Sequence, residues 1–173
     1  MNWDYVAGLY DGDGHGNLFL KPPNDKIKQR RFSAVPLIEL AVSGDVIIPL
    51  RTFFNELGVF PQKRKYGYTT KTSNPWGSAK YIKAGSWKGT KIICENLIPR
   101  CYIKKDQLNL LFNAIKLREY IIKNKRHNED FISYFDYYRH EIHKYAKKGP
   151  KKIREYDYPI IEKFNLERLL EWE

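Results

Sequence analysis

The chain has 173 residues and 42 % hydrophobic content, enough for one domain with its own core, and no apolar run approaches the roughly 20 residues of a membrane-spanning helix. Lysine and arginine number 31 against 20 aspartates and glutamates, a net charge of +11, while aromatic residues make up 15 %. This excludes a disordered basic tail and points to a folded protein with a polyanionic partner; the start, Met1-Asn2-Trp3-Asp4, carries no export signal, so a cytoplasmic location is expected.

Trp3, Val6, Ala7 and Tyr10 lie at helical spacing and predict a helix from Trp3 to Asp11, ended by the glycine-punctuated stretch Gly12-Asp13-Gly14-His15-Gly16. A strand follows over Asn17 to Lys21, then a loop from Pro22 to Asp25 and a second strand from Arg31 to Val42, in which Pro36 implies a bulge or an edge position. Ser43 is the expected N-cap of a helix carrying Val46, Ile47, Leu50, Phe53, Phe54 and Leu57 and stopped by Gly58. Two aromatic, basic stretches, Pro61 to Thr72 and Ser78 to Gly85, read as a second hairpin about Ser73-Asn74-Pro75-Trp76-Gly77. Helices follow at Ile92 to Leu97, Leu108 to Ile122, Phe131 to Tyr145 and Pro159 to Trp172. The order predicts an α+β fold with an antiparallel sheet. Cys94 and Cys101, the two cysteines, are expected as packed thiols.

Asp11-Gly12-Asp13-Gly14-His15-Gly16-Asn17 fails as an EF-hand because Pro22 stands where a bidentate glutamate is needed. It fails as a dinucleotide fingerprint because its glycines follow a helix and open a strand. Two aspartates at a helix C-terminus face the negative end of the macrodipole and call for a cation. Ala7, Gly8 and Gly12 leave one side of the helix small enough for another helix to approach.

The stretch Val6-Ala7-Gly8-Leu9-Tyr10-Asp11-Gly12-Asp13-Gly14 resembles the signature of the LAGLIDADG homing endonucleases, with Ala7, Gly8, Leu9, Asp11, Asp13 and Gly14 coinciding with its letters. The resemblance implies an αββαββα core with a saddle-shaped antiparallel sheet over residues 1–124, and leaves 125–173 as a C-terminal helical extension packed on that core. It implies that Asp13 is catalytic and binds the divalent metal, with the Gly12 carbonyl as an additional ligand, while Asp11 is mainly structural. Mg²⁺ is the implied cofactor, with Mn²⁺ able to substitute and Ca²⁺ supporting binding without efficient cleavage. A single motif implies a homodimer, with Ala7, Gly8, Asp11 and Gly12 at the interface. The segment Pro99 to Asn109 is similar to the family's stretch in which a lysine enters the active site, and spacing from the proline favours Lys104 over Lys105 as a second catalytic residue. The polar residue common near the end of the second strand is missing from Leu40-Ala41-Val42; Ser43 is the candidate to replace it.

Lys63 and Lys65 alternate with Arg64, Tyr66 and Tyr68 along one strand, and Lys80 and Lys83 lie on the paired strand, so one sheet face is expected to be basic and polar and to bind DNA, with Lys26, Lys28, Arg30 and Arg31 on the first hairpin loop. Glu39 is assigned to accepting from a cytosine amino group rather than to a metal. The resulting expectation is an intron-encoded, metal-dependent endonuclease that cuts both strands of a long, near-palindromic DNA target. The alternative is an intron RNA maturase or a non-cleaving DNA-binding protein of the same descent. No membrane partner is expected.

Overall fold

The computed structural model describes residues 1–21, 32–42, 45–60, 68–69, 80–127 and 131–145. Along them run α1 (Trp3–Asp13), β1 (Gly14–Lys21), β2 (Ser33–Val42), α2 (Ile47–Glu56), β3 (Tyr68–Thr69), β4 (Lys80–Ala84), α3 (Trp87–Leu97), α4 (Lys105–Lys123) and α5 (Ile132–Lys144). The four strands form one antiparallel sheet in the order β1-β2-β4-β3. The α+β class and the succession helix, hairpin, helix, hairpin, helices are those expected from the sequence.

Pairing in register puts one parity of each strand into the core: Leu18 and Leu20 of β1, Ala34, Ile38, Leu40 and Val42 of β2, Ile82 and Ala84 of β4. The opposite parity, His15 and Phe19, Leu37, Glu39 and Ala41, Tyr81 and Lys83, is half-buried or exposed, with Asn17 of β1 as a buried exception. Helices α1 and α3 pack on β2, α4 and α5 on β1, so the core lies between sheet and helices. Leu50, Phe54, Ile93, Leu97, Leu108 and Leu111 are all fully buried there, each contributing about 1.5–3 kcal/mol by leaving water. Trp3 packs edge-on against Phe53 at 5.2 Å and ties α1 to α2.

Local chemistry sets the ends of the helices. Asn2 caps α1, its Oδ1 accepting from the Tyr5 amide at 3.0 Å. Gly58, with φ +70°, ends α2 in the left-handed region that favours glycine, and the Val59 amide then returns to the Phe54 carbonyl at 2.9 Å. Ser86 caps α3, donated to by the Gly89 amide at 3.0 Å. A Cβ on Gly89 would lie 2.0 Å from the Val59 carbonyl oxygen, so this glycine lets α3 pass directly over the end of α2.

Three expectations are corrected and one alternative is decided. Helix α1 runs two residues past its expected end at Asp11, to Asp13, and β1 begins at Gly14 rather than at Asn17. Ser43 is not the N-cap of α2; Val46 holds that place without a side-chain bond, and Ser43 itself lies outside the described residues. Pro36 causes no bulge, because β1 and β2 pair residue for residue through Leu18↔Pro36; the edge alternative fits instead, since among the described residues β4 reaches along β2 only to Ile38. Helix α3 starts at Trp87, five residues before Ile92, because Ser86 supplies the cap. The loop from Pro22 to Asp25, most of the second hairpin and the helix expected at Pro159 to Trp172 lie outside the described residues. Of the extension, α5 packs on β1 and α4.

Candidate active site

The last carbonyls of a helix have no partner within it, and at the end of α1 they meet a lysine from far along the chain. Lys104 Nζ donates to the carbonyls of Tyr10 at 2.9 Å, Gly12 at 3.1 Å and Gly14 at 2.7 Å. It thus supplies the cation called for at the negative end of the macrodipole. Asp11 fixes where that lysine leaves the backbone. Its carboxylate accepts from the amides of Tyr102 at 2.8 Å and Lys104 at 3.1 Å, clasping the turn before α4. Partial burial pushes the Asp11 pKa up, but the amides of Tyr102, Lys104 and Ile103 outweigh it and hold the carboxyl below its usual range. Beneath this turn Cys101 Sγ lies 3.8 Å from the Ala7 carbonyl, and its thiol is pushed up to about 12, first by burial and then by the Asp11 charge. Cys94 and Cys101 are both free and buried.

A second, buried joint lies alongside. Gln107 on α4 is 1 % exposed, and its side-chain amide pairs with the Gly16 backbone: Oε1 accepts from the amide at 3.2 Å and Nε2 donates to the carbonyl at 3.3 Å. The same Oε1 accepts from the Tyr10 hydroxyl at 2.9 Å, while burial raises the phenol pKa well above its usual value. The glycines follow from this packing. A Cβ on Gly14 would lie 2.3 Å from Tyr10 Cδ2, and one on Gly16 2.8 Å from the Tyr10 hydroxyl. Sequence reasoning missed Gln107 and also His15, which is half-buried beside the junction. Burial lowers the His15 pKa; Glu39 works against that and Lys104 with it.

Asp13 and Gly12 end α1 on its exposed side. The donors gathered here are carboxylate and carbonyl oxygens, the hard ligands suited to Mg²⁺ or Ca²⁺. The Gly12 carbonyl already accepts from Lys104, and among the described residues no group of three or more His, Cys, Asp or Glu side chains could hold a metal ion. One chain therefore offers no closed cage; its donor set fits Mg²⁺ held by one or two carboxylates and completed by water and phosphate oxygens.

Of the four residues expected at a dimer interface, Ala7 is 3 % exposed and packs in its own core, while Gly8 and Gly12 face outward with nothing within 4 Å of an added Cβ. Asp11 is half-buried against the turn before α4. On the sheet, Glu39 and Lys83 stand opposite each other in β2 and β4 and form an ion pair of 2.7 Å. Tyr68 stands opposite Ile82 in the register, and Lys80 begins β4, opposite Val42. Lys26, Lys28, Arg30, Arg31, Lys63, Arg64, Lys65 and Tyr66 lie outside the described residues. No helix among the described residues is long and apolar enough to cross a membrane.

No family model and no curated protein matches the sequence. Solved structures do. The homing endonuclease I-CvuI, in complex with its target in the presence of Ca, aligns with a TM-score of 0.62 at 15 % identity over 98 % of this chain and 90 % of that one. The archaeal intron-encoded homing endonuclease I-Vdi141I, complexed with DNA, aligns with a TM-score of 0.61 at 13 % identity over 98 % and 92 %. The LAGLIDADG homing endonuclease I-SmaMI, bound to cleaved DNA, aligns with a TM-score of 0.57 at 17 % identity over 88 % of this chain but 46 % of that one. The chain has the fold of the LAGLIDADG homing endonucleases.

Proposed function

We propose that two copies of this chain form a site-specific endonuclease that hydrolyses both strands of a duplex DNA target with a divalent metal. The observation that carries this reading is the meeting of Asp13 and Lys104 at the end of α1. An ammonium brought from far along the sequence bonds the carbonyls on either side of Asp13 in the chain, Gly12 and Gly14, while Asp13 itself is exposed at that helix end. The fold and the net charge of +11 support a polyanionic substrate. The dimer is supported by the outward-facing Gly8 and Gly12 and by the alignment to 46 % of I-SmaMI, which leaves room in that chain for a second such unit.

Asp13 of each copy would hold Mg²⁺ together with phosphate oxygens, Mn²⁺ could replace it, and the bound metal would supply a Lewis acid and a water of lowered pKa. Lys104 has three donor hydrogens, and the three carbonyls engage them. It therefore acts as a fixed positive charge that stabilises the negative charge developing on the attacked phosphate, not as a donor to the attacking water. Asp11 and Gln107 hold it in place, the first through the turn and the second by locking α4 to β1. Ca²⁺, which tolerates looser geometry, should support binding with little cutting.

The test is incubation with the intron-less form of the gene that surrounds the coding sequence. Both strands should be cut in Mg²⁺ and neither in Ca²⁺. Binding without cutting in either metal would instead support a DNA-binding protein, and preference for the intron transcript a maturase.

A further inference from the structure

The sheet face opposite the core carries a feature that the cleavage site does not use. Glu39 and Lys83 face each other across β2 and β4, Lys83 Nζ 2.7 Å from Glu39 Oε2, with side chains 22 % and 40 % exposed. Their neighbours along the strands on that face are Leu37, Ala41 and Tyr81, and the Lys83 ammonium lies 5.8 Å from the Tyr81 ring centroid. The pair is thus a donor-and-acceptor unit between apolar residues along its own two strands, with His15 of β1 opposite Glu39 on its other side. Forming it uses one of three ammonium hydrogens and one of about four acceptor positions on the carboxylate, so both groups keep capacity for a ligand.

A major-groove edge offers such a unit two patterns. A G·C pair presents, in order, the acceptors N7 and O6 of guanine and the N4 amino donor of cytosine. An A·T pair presents acceptor, donor, acceptor. An ammonium with spare hydrogens is matched by two adjacent acceptors, and a carboxylate beside it by the donor that follows. Over an A·T pair the carboxylate could reach the adenine amino group only between two acceptors, one of which would repel it. We propose that the Glu39–Lys83 pair reads one G·C base pair in each half-site as a unit, Lys83 taking the guanine and Glu39 the cytosine. Successive residues on one strand face are about 6.8 Å apart, roughly two base-pair steps, so Leu37 and Ala41 lie over other base pairs and the polar unit addresses one.

The inference rests on the endonuclease reading and is separable from it. A randomised duplex library is selected by binding in Ca²⁺ with the full chain, with Glu39→Gln, with Lys83→Met and with the double variant, each checked for folding by circular dichroism. An exposed cross-strand ion pair contributes little to stability, so all four should fold. The unchanged chain should enrich a G·C pair at one position of each half-site. Both single variants should lose preference at that same position by about 5- to 150-fold, with adenine admitted by Glu39→Gln, and the double variant should lose little more. Variants that keep the preference, or that relax two different base pairs, overturn the paired readout while leaving the endonuclease reading intact. Failure of the unchanged chain to enrich any duplex overturns both.

Discussion

Replacing Lys104 with methionine keeps the length of the side chain and removes its charge, and three terms decide the outcome. At the C-terminus of α1 the cation contributes about 0.3–1 kcal/mol through the helix dipole. Lys104 is also the N-cap residue of α4, where a positive charge opposes the dipole by a similar amount, so these two terms largely cancel. What remains is the set of bonds to the Tyr10, Gly12 and Gly14 carbonyls. A charged hydrogen bond contributes about 1.5–3 kcal/mol; because the three share one ammonium and water can reach part of the junction, a total of about 2–3 kcal/mol is expected rather than three times that. For a chain of this size the loss lowers the melting temperature by about 4–12 °C. Thermal unfolding followed by far-ultraviolet circular dichroism reads it. Lys105→Met is the control, since Lys105 is exposed in the first turn of α4 and should change stability by less than about 0.5 kcal/mol. Equal melting temperatures for Lys104→Met and the unchanged chain, or an equal fall for Lys105→Met, would refute the argument that Lys104 closes the end of α1.

Asp11→Asn should lower stability at pH 7 by about 1 kcal/mol, discounted for solvent exposure. Because the folded pKa of Asp11 is depressed, its contribution is present above the unfolded carboxyl pKa and fades as pH falls through the folded one, so the two proteins should converge in denaturant titrations only once the pH lies below that lowered folded value. Gly14→Ala forces a Cβ to 2.3 Å from Tyr10 and should cost about 1–3 kcal/mol or more in the same titrations, whereas Gly12→Ala meets nothing within 4 Å and should be neutral or mildly stabilising in the single chain. Gly8→Leu likewise has open space in one chain, yet should weaken self-association; sedimentation would show a shift from about twice 20.6 kDa toward the single-chain mass, and an unchanged dimer would remove α1 from the interface. Duplex affinity should fall with salt with a log–log slope of about −5 to −9 if roughly 6–10 phosphates are neutralised, and a nearly flat dependence would deny the basic surface that role.

The parts legible in the sequence are those whose signal is local. Trp3, Val6, Ala7 and Tyr10 announce α1 through their spacing, and Pro99 with Lys104 marks the approach to α4. The asymmetry between Asp11 and Asp13, one turned to the 102–104 amides and the other to solvent, came from the resemblance alone. What stayed hidden depends on contacts between remote residues. Gly14 and Gly16 look like turn glycines, but they are small because Tyr10 lies against them and Gln107 reaches Gly16 from α4. Pro36 left a bulge and an edge position open, and the register, in which β4 ends its pairing at Ile38, decides for the latter. Ser43 has a capping side chain, but the N-cap of α2 is Val46, and Ser43 itself lies outside the described residues. Ser86 carries a capping side chain that marks the start of α3, although Gly89 interrupts the apolar pattern behind it. Glu39 could be placed on a strand face, but its pairing with Lys83 depends on the register between β2 and β4.

The central claim is that Asp13 holds the metal for strand cleavage while leaving DNA binding to the sheet. It is tested most directly by comparing the chain with Asp13→Asn on one duplex recovered by selection in Ca²⁺, measuring affinity in Ca²⁺ and single-turnover cleavage in Mg²⁺. Asparagine keeps the size and removes the charge, so cleavage should fall by orders of magnitude while affinity is kept or rises as repulsion from the phosphates is relieved. Cleavage of both strands by Asp13→Asn at the rate of the unchanged chain would contradict the account.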